Sequence, residues 1–299
     1  MGAILIPSAF WWLLPSQVWF LVLFGILAFL IIVLWLFPLR PRPTLPEDTA
    51  QKIEFGVRIF QITKTSSSSL ECEDSARLSD DKRQVVIADG VSQSFESGLW
   101  ARTLTKHLLR TEVQHVRESA IVNAAAEWTS VIESYLSSST SWNVRKRVNE
   151  GAQATFASIV FEEKDSSIWW VAELIGDCLI AQIPMERESS SSLTFYPPDY
   201  ADSLKKNPDT VSSRTPYVRG ELRSFDGVIS VGTRLLIMTD ALGVYLTKKS
   251  IDGVLISSIF PFLDKTCINP EENFKTWANL LRPSEIADDD LTLVEITYE

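Results

Sequence analysis

The chain has 299 residues and carries 28 Lys and Arg against 38 Asp and Glu, a formal net charge of −10 with its histidines neutral. That balance excludes a nucleic-acid-binding protein and a domain lying flat on anionic lipid, since both need a surplus of basic side chains. Cys72, Cys178 and Cys267 are odd in number and not closely spaced, so they define neither a disulfide framework nor a zinc site and fit a reducing compartment.

No charged residue precedes Arg40. Gln17 to Phe37, QVWFLVLFGILAFLIIVLWLF, is a nearly unbroken apolar run of about 21 residues, enough at 1.5 Å per residue to cross a ~30 Å hydrocarbon core. Trp11, Trp12 and Trp19 towards one end and Trp35 at the other stand where interfacial aromatics belong. A signal peptide would show a basic n-region, a shorter apolar core and a small-x-small cleavage site, and a core helix would show a polar face; none of these is clear here. The expectation is an N-terminal membrane anchor over 1–37, with one transmembrane helix at about 17–37. Arg40 and Arg42 follow the run and no basic residue precedes it, so the expected orientation of this single-pass membrane protein puts its C-terminal domain in the cytoplasm. Residues 38–50, with Pro38, Pro41, Pro43 and Pro46, read as a stiff extended linker, and residues 51–299 as the folded domain.

Glu54 to Thr63 alternates as a first strand, and Thr65 to Leu70 is a serine-rich turn. Glu71-Cys72-Glu73-Asp74-Ser75 then reads as an acidic loop, which taken alone is an ordinary solvated one. In Gln84 to Ser92, QVVIADGVS, a β-branched strand stops on Asp89 and turns at Gly90. Helical periodicity covers Glu96 to Val116, and a second helix is expected over Glu118 to Leu136. His107 and His115 lie in the first of these without a partner at ligand spacing, which argues against a histidine acid or nucleophile. Gly151 to Val160 leads into a strand partnered by Ile168 to Ile175 across a turn at Lys164 to Ser167. Adjacent Trp169 and Trp170 face opposite ways, which suits a sheet covered on both faces. Cys178 to Ile183 is a further strand, Glu188 to Ser192 a polar run, and Pro197 to Gly220 a long surface excursion. Leu235 to Thr239 is a strand, Thr247 to Phe260 and Glu271 to Leu281 are helices, and Leu291 to Thr297 is the last strand. No P-loop, nucleophile elbow or dinucleotide fingerprint is present.

A carboxylate at a strand end is partly desolvated and needs a cation or hydrogen-bond donors nearby. Here the arrangement recurs. Asp89 closes one apolar run, Asp177 closes WVAELIGD, Asp240 closes RLLIMTD, and Asp288, Asp289 and Asp290 stand directly before the last strand. Several acids at strand edges are what an oxygen-ligand site for hard divalent cations requires.

Taken in order, Glu73-Asp74-Ser75, VVIADG at 85–90, GAQAT at 151–155, LIGDC at 174–178, LLIMTDAL at 235–242 and DDDLTLV at 288–294 resemble the metal-dependent serine/threonine protein phosphatases of the type 2C or PPM group. The resemblance runs from about Glu54 to the C-terminus. It implies an α+β fold, a four-layer α-β-β-α sandwich of two mainly antiparallel sheets flanked by helices. It also implies that Asp89 bridges two Mn²⁺ or Mg²⁺ ions, that Gly90 offers its carbonyl, and that Asp240 and Asp289 complete the set. Glu73 and Asp74 would stand in or behind it, and Asp177 matches an acid that in some members helps hold a third ion. The activity implied is hydrolysis of phosphoserine or phosphothreonine in a phosphorylated protein substrate by metal-activated water, with no protein nucleophile.

The sequence departs from that pattern in four places. Ser66 to Ser69 occupy the stretch where a phosphate-binding base is usual, and the nearest base is Lys64. Val91-Ser92-Gln93-Ser94 follow Asp89-Gly90 where histidine or methionine is common, Ala241 stands for glycine, and Cys178-Leu179 for Ser-Arg. Two further readings stay open: a catalytically silent phosphatase-like domain acting as a binding or scaffold module at the membrane, and a different two-metal phosphoester hydrolase.

Overall fold

The computed structural model describes residues 55–298 except 66, 69–70, 110–116, 138–139, 165–166, 185–192, 204–207 and 252–253. The apolar run at 17–37, the proline-rich linker, His115 and the polar run at 188–192 lie outside the described residues. Among the described residues no helix is long and apolar enough to cross a membrane. The chain divides into units 1–52 and 53–299, and every described element belongs to the second.

Two antiparallel sheets form that unit. One has the order β1-β12-β11-β6-β7, made of β1 (Phe55–Ile62), β12 (Leu291–Tyr298), β11 (Arg234–Met238), β6 (Leu179–Ile183) and β7 (Thr194–Tyr196). The other runs β10-β5-β4-β3-β2, made of β10 (Arg223–Ile229), β5 (Ser167–Ile175), β4 (Gln153–Lys164), β3 (Gln84–Gly90) and β2 (Asp74–Leu78). To the start of β4 it adds β8 (Thr210–Ser212), which pairs in turn with β9 (Val218–Arg219).

Strand β3 shows why its sequence is so uniformly apolar. Successive side chains alternate in face. Val85 and Ile87 enter the core between the sheets with Ile159, Trp170, Ile237 and Val294, while Val86 and Ala88 enter a second core beneath helices. Those helices are α1 (Ser97–Leu108) and α2 (Arg117–Tyr135), which contribute Trp100, Leu104, Ala124 and Trp128. On the outer side of the other sheet, Leu242 and Leu246 of α5 (Asp240–Ile251), Ile256 and Ile259 of the short α6 (Ile256–Ile259) and Phe274 of α7 (Pro270–Leu281) pack with Phe60, Leu179 and Leu293. Helices therefore flank both sheets, with three apolar layers between.

Several expectations are corrected. The acidic stretch at 71–75 is not all loop, because Asp74 already begins β2, held by its pairing with β3. The first helix is described over Ser97–Leu108, followed by Leu109, whose N–H donates to the Thr105 carbonyl, and the expected stretch 110–116 lies outside the described residues. Helix α3 (Trp142–Glu150), capped by the Ser141 hydroxyl, follows the serine run where none was expected. Trp170 is fully buried, but Trp169 is 39% exposed, so the sheet is not covered on both faces at that point. Far from being only a surface excursion, 197–220 contains α4 (Tyr200–Ser203), β8 and β9, with Tyr200 and Val211 in the cores. Strands β7 and β10 were likewise not expected. The helix placed at 247–260 is two helices, the first starting at Asp240, whose carboxylate accepts the Ala241 N–H at the helix N-terminus.

Candidate metal centre

Sheet register brings the first acids together. Asp74 on β2 lies directly opposite Asp89 on β3, and Asp89 lies opposite Thr155 on β4. Like charges facing each other across an antiparallel pair are destabilising unless something neutralises them. Asp240 stands where β11 passes into α5, and Asp177 follows Gly176 in the turn between β5 and β6. Gly176 has φ +87°, and a Cβ there would lie 2.3 Å from the Thr155 methyl and 2.6 Å from the Asp209 carbonyl, so the turn needs glycine. A single hydroxyl ties these two loops: Tyr200 Oη donates to the carbonyl of Asp177 at 3.0 Å and to that of Asp240 at 3.4 Å.

The carboxylates act on one another. Burial pushes Asp89 well above the usual carboxylate range, and the charges of Asp74, Asp240, Asp177 and Asp289 push it further. Asp74 is raised by burial and by the charges of Asp290 and Asp240. Burial raises Asp240 to about 6, the Asp177 charge adds to this, and hydrogen bonding to the Ala241 N–H and with Asp89 pulls the other way. Asp177 and Asp289 are raised chiefly by burial, and each also feels a neighbouring aspartate of the group. Thr239 Oγ1 donates to Asp74 Oδ2 at 3.0 Å, while Asp74 Oδ1 is buried without a hydrogen-bond partner. An enclosed, oxygen-only donor set under self-repulsion, with one carboxylate oxygen unpaired, fits hard divalent cations. Among the described residues no three His, Cys, Asp or Glu side chains already form an assembled ligand set. The acids are linked through their charges.

Glu73 is placed differently. Its Oε2 accepts from Lys64 Nζ at 2.6 Å and from Ser92 Oγ at 2.6 Å, and its Oε1 accepts from Ser97 Oγ at 2.5 Å. These donors and the Lys64 charge hold its carboxyl below the usual range despite burial. The Glu73 side chain thus ties the β1–β2 loop to the start of α1, and its backbone carbonyl accepts the Gly90 N–H. A Cβ on Gly90 would lie 2.7 Å from the Ser97 carbonyl oxygen and 2.9 Å from that of Glu73, so glycine permits this close approach.

The three C-terminal acids are unequal. Asp289 belongs electrostatically with the cluster. Exposed Asp288 accepts from the Thr65 N–H at 2.9 Å and from Thr65 Oγ1 at 2.7 Å. Asp290 is buried and accepts the backbone N–H groups of both Lys64 and Glu73. Sequence reasoning missed that clamp, and it also missed buried Arg282, which donates to the carbonyls of Thr63 and Asp289. Asp290→Ala should therefore cost about 3 kcal/mol in chemical denaturation, because it removes two charge-assisted bonds from enclosed N–H groups. Asp288→Ala should cost much less, and equal losses would contradict the clamp.

His107 pairs with Glu127 at 2.8 Å, away from the acids, which is a structural role. Cys178 is buried and its thiol is pushed far up by burial, so it is no nucleophile.

With this geometry in view, solved structures of very different sequence can be matched to the chain. The serine/threonine phosphatase PstP/Ppp of Mycobacterium tuberculosis superposes with a TM-score of 0.52 at 15% identity, covering 83% of this chain and 99% of its own. This is a serine/threonine phosphatase fold. The serine/threonine phosphatase Stp1 of Staphylococcus aureus shares it, with a TM-score of 0.55, 12% identity and coverage of 82% and 96%. The PstP catalytic domain in complex with two manganese ions matches with a TM-score of 0.52 at 13% identity, covering 82% of this chain and 99% of that one. No family model and no curated relative matches the sequence. Within the shared fold Asp74 and Asp89 face each other on β2 and β3, Asp240 begins α5, and Asp177 and Asp289 stand in the turns before β6 and β12.

Proposed function

We propose that the chain is a membrane-anchored, metal-dependent protein serine/threonine phosphatase. The observation that carries this reading is the self-repelling group Asp74, Asp89, Asp177, Asp240 and Asp289 in a fold shared with serine/threonine phosphatases. Asp89, Asp240, Asp289 and the Gly90 carbonyl would hold two Mn²⁺ or Mg²⁺ ions, with Asp74 in or behind them and Asp177 towards a third. The manganese-bound neighbour supports that choice of ion. When bound, divalent cations neutralise the carboxylates and acidify a water for in-line attack on phosphorus.

The chain's own residues supply the frame. Thr239 orients Asp74, Tyr200 fixes the backbones that carry Asp177 and Asp240, and Asp290 holds the loop bearing Lys64 and Glu73. Glu73 serves that loop, since Lys64, Ser92 and Ser97 engage its carboxylate. The silent-scaffold reading has less support, because such mutual repulsion brings a cost that a purely structural loop cluster need not carry. The deciding experiment incubates the full chain in detergent with a phosphothreonine peptide and Mn²⁺. Phosphate release that chelator abolishes is expected, and Mn²⁺ binding without release would favour the scaffold.

The anchor completes the proposal: residues 17–37 span the membrane, 38–50 space the domain from it, and 51–299 act on cytoplasmic phosphoproteins. Removing residues 1–46 should move the protein wholly into the aqueous phase of a detergent partition. Retention in the detergent phase would mean a second membrane-contacting surface.

A further inference from the structure

Immediately beyond Gly90 the chain forms one wall of a groove of about 510 Å³, lined by Val91, Ser92, Phe95, Arg147, Gln153 and Thr210 among others. The loop that makes this wall is held rigidly. The Val91 N–H donates to the Gln153 carbonyl at 2.9 Å, the Ser94 N–H donates to the Val91 carbonyl at 2.8 Å, and Ser94 Oγ accepts the Gln153 N–H at 3.0 Å. The Phe95 N–H donates to the carbonyl of Gly151, just past the end of α3. The groove is thus fixed to the candidate metal centre through a few residues of backbone.

Helix α3 carries three consecutive bases, of which only Arg147 lines the groove. Arg145 is spent on the carbonyls of Ser137 and Thr140, and Lys146 pairs with Glu150 at 3.7 Å. Arg147 differs: its guanidinium lies over the Phe95 ring, 5.5 Å from the centroid, and one nitrogen reaches the Ser94 carbonyl at 3.5 Å. No carboxylate is paired with it among the described residues. An aromatic platform leaves the donor edge of an arginine available for a planar or tetrahedral anion. The groove is also lined by Glu150, whose carboxylate is paired with Lys146 at 3.7 Å, so Arg147 is the charge in the lining that has no ionic partner among the described residues.

We infer that Arg147 is a specificity-determining residue, which binds an anionic side chain of the substrate flanking the scissile phosphate, so that the groove selects acidic phosphopeptides. The inference rests on the phosphatase reading of the neighbouring centre. Two labelled phosphothreonine peptides test it, identical except for Glu or Gln at the two positions on each side of the phosphothreonine. Binding to the full chain in detergent is followed by fluorescence anisotropy, with Mn²⁺ and again with chelator, and kcat/KM is measured where phosphate is released. The Glu peptide should bind about five- to tenfold more tightly, the size of a charge-assisted bond discounted for solvent exposure. Arg147→Ala should bring that ratio to about one, Arg147→Lys should keep part of it, and Arg145→Ala, which removes the same charge outside the groove, should keep all of it. A ratio of one in the unmodified chain, a ratio that survives Arg147→Ala, or one lost equally in Arg145→Ala would each overturn the inference. Because binding is read apart from turnover, a chain that releases no phosphate would defeat the reading of the metal centre and still report on the groove.

Discussion

Asp89→Asn should leave the chain folded while lowering both Mn²⁺ affinity and phosphate release by at least ~100-fold, more than the usual effect of altering a residue that only supports a ligand. The substitution keeps the volume and one oxygen acceptor but removes the charge that sits opposite Asp74 and feels Asp240, Asp177 and Asp289. The same change should raise the melting temperature of the metal-free chain, because burial and four neighbouring acids all disfavour this anion. Calorimetric Mn²⁺ affinity equal to that of the unmodified chain would show that Asp89 is a structural acid.

In chelator at pH 7.5, Asp240→Asn should be more stable than the unmodified chain by on the order of 2 kcal/mol, and the difference should vanish towards pH 4. The sign follows from the direction of the shift. Asp240 titrates at about 6 in the folded chain, above its ordinary value of 3.8, so the folded state binds the proton more tightly. Its contribution is complete below the unfolded value and is lost as pH rises through the folded one. Asparagine removes that loss and, like aspartate, can accept the Ala241 N–H. Glu73 and Asp288 are held below their ordinary values and work the other way, so the difference between the two proteins carries the test. Saturating Mn²⁺ should reverse the order. At a hundred times Kd, one site adds about 2.7 kcal/mol to the unmodified chain, and the variant should gain little. An unmodified chain that is the more stable of the two in chelator at pH 7.5 would contradict the view that burial and mutual repulsion govern this carboxylate.

The parts of this molecule legible in the sequence are those where burial alone decides structure. Val85-Val86-Ile87 must be a strand because both its faces meet apolar layers, and a strand of that kind delivers Asp89 to the sheet edge. Asp177, Asp240 and Asp289 were placed by the same logic, as acids next to apolar runs, and their charges do act on one another. What was not legible depends on partners distant in the chain. Asp-Ser-Ala-Arg-Leu at 74–78 is a strand because it pairs with β3, and Thr210–Ser212 because Ser212 and Val211 meet Gln153 and Ala154. Asp290 gives no local hint that it will clamp two N–H groups more than 200 residues earlier. Nothing in Glu73 alone announces that Lys64, Ser92 and Ser97 take its oxygens.

The most direct test of the metal centre is an anomalous difference map at the manganese edge, from crystals of the full chain grown with Mn²⁺. Two peaks flanking the Asp89 carboxylate at about 2–2.5 Å, one of them also beside Asp240 or Asp289, are the predicted result. A map with no peak within about 3 Å of Asp89, from crystals in which Mn²⁺ is bound elsewhere, would contradict it.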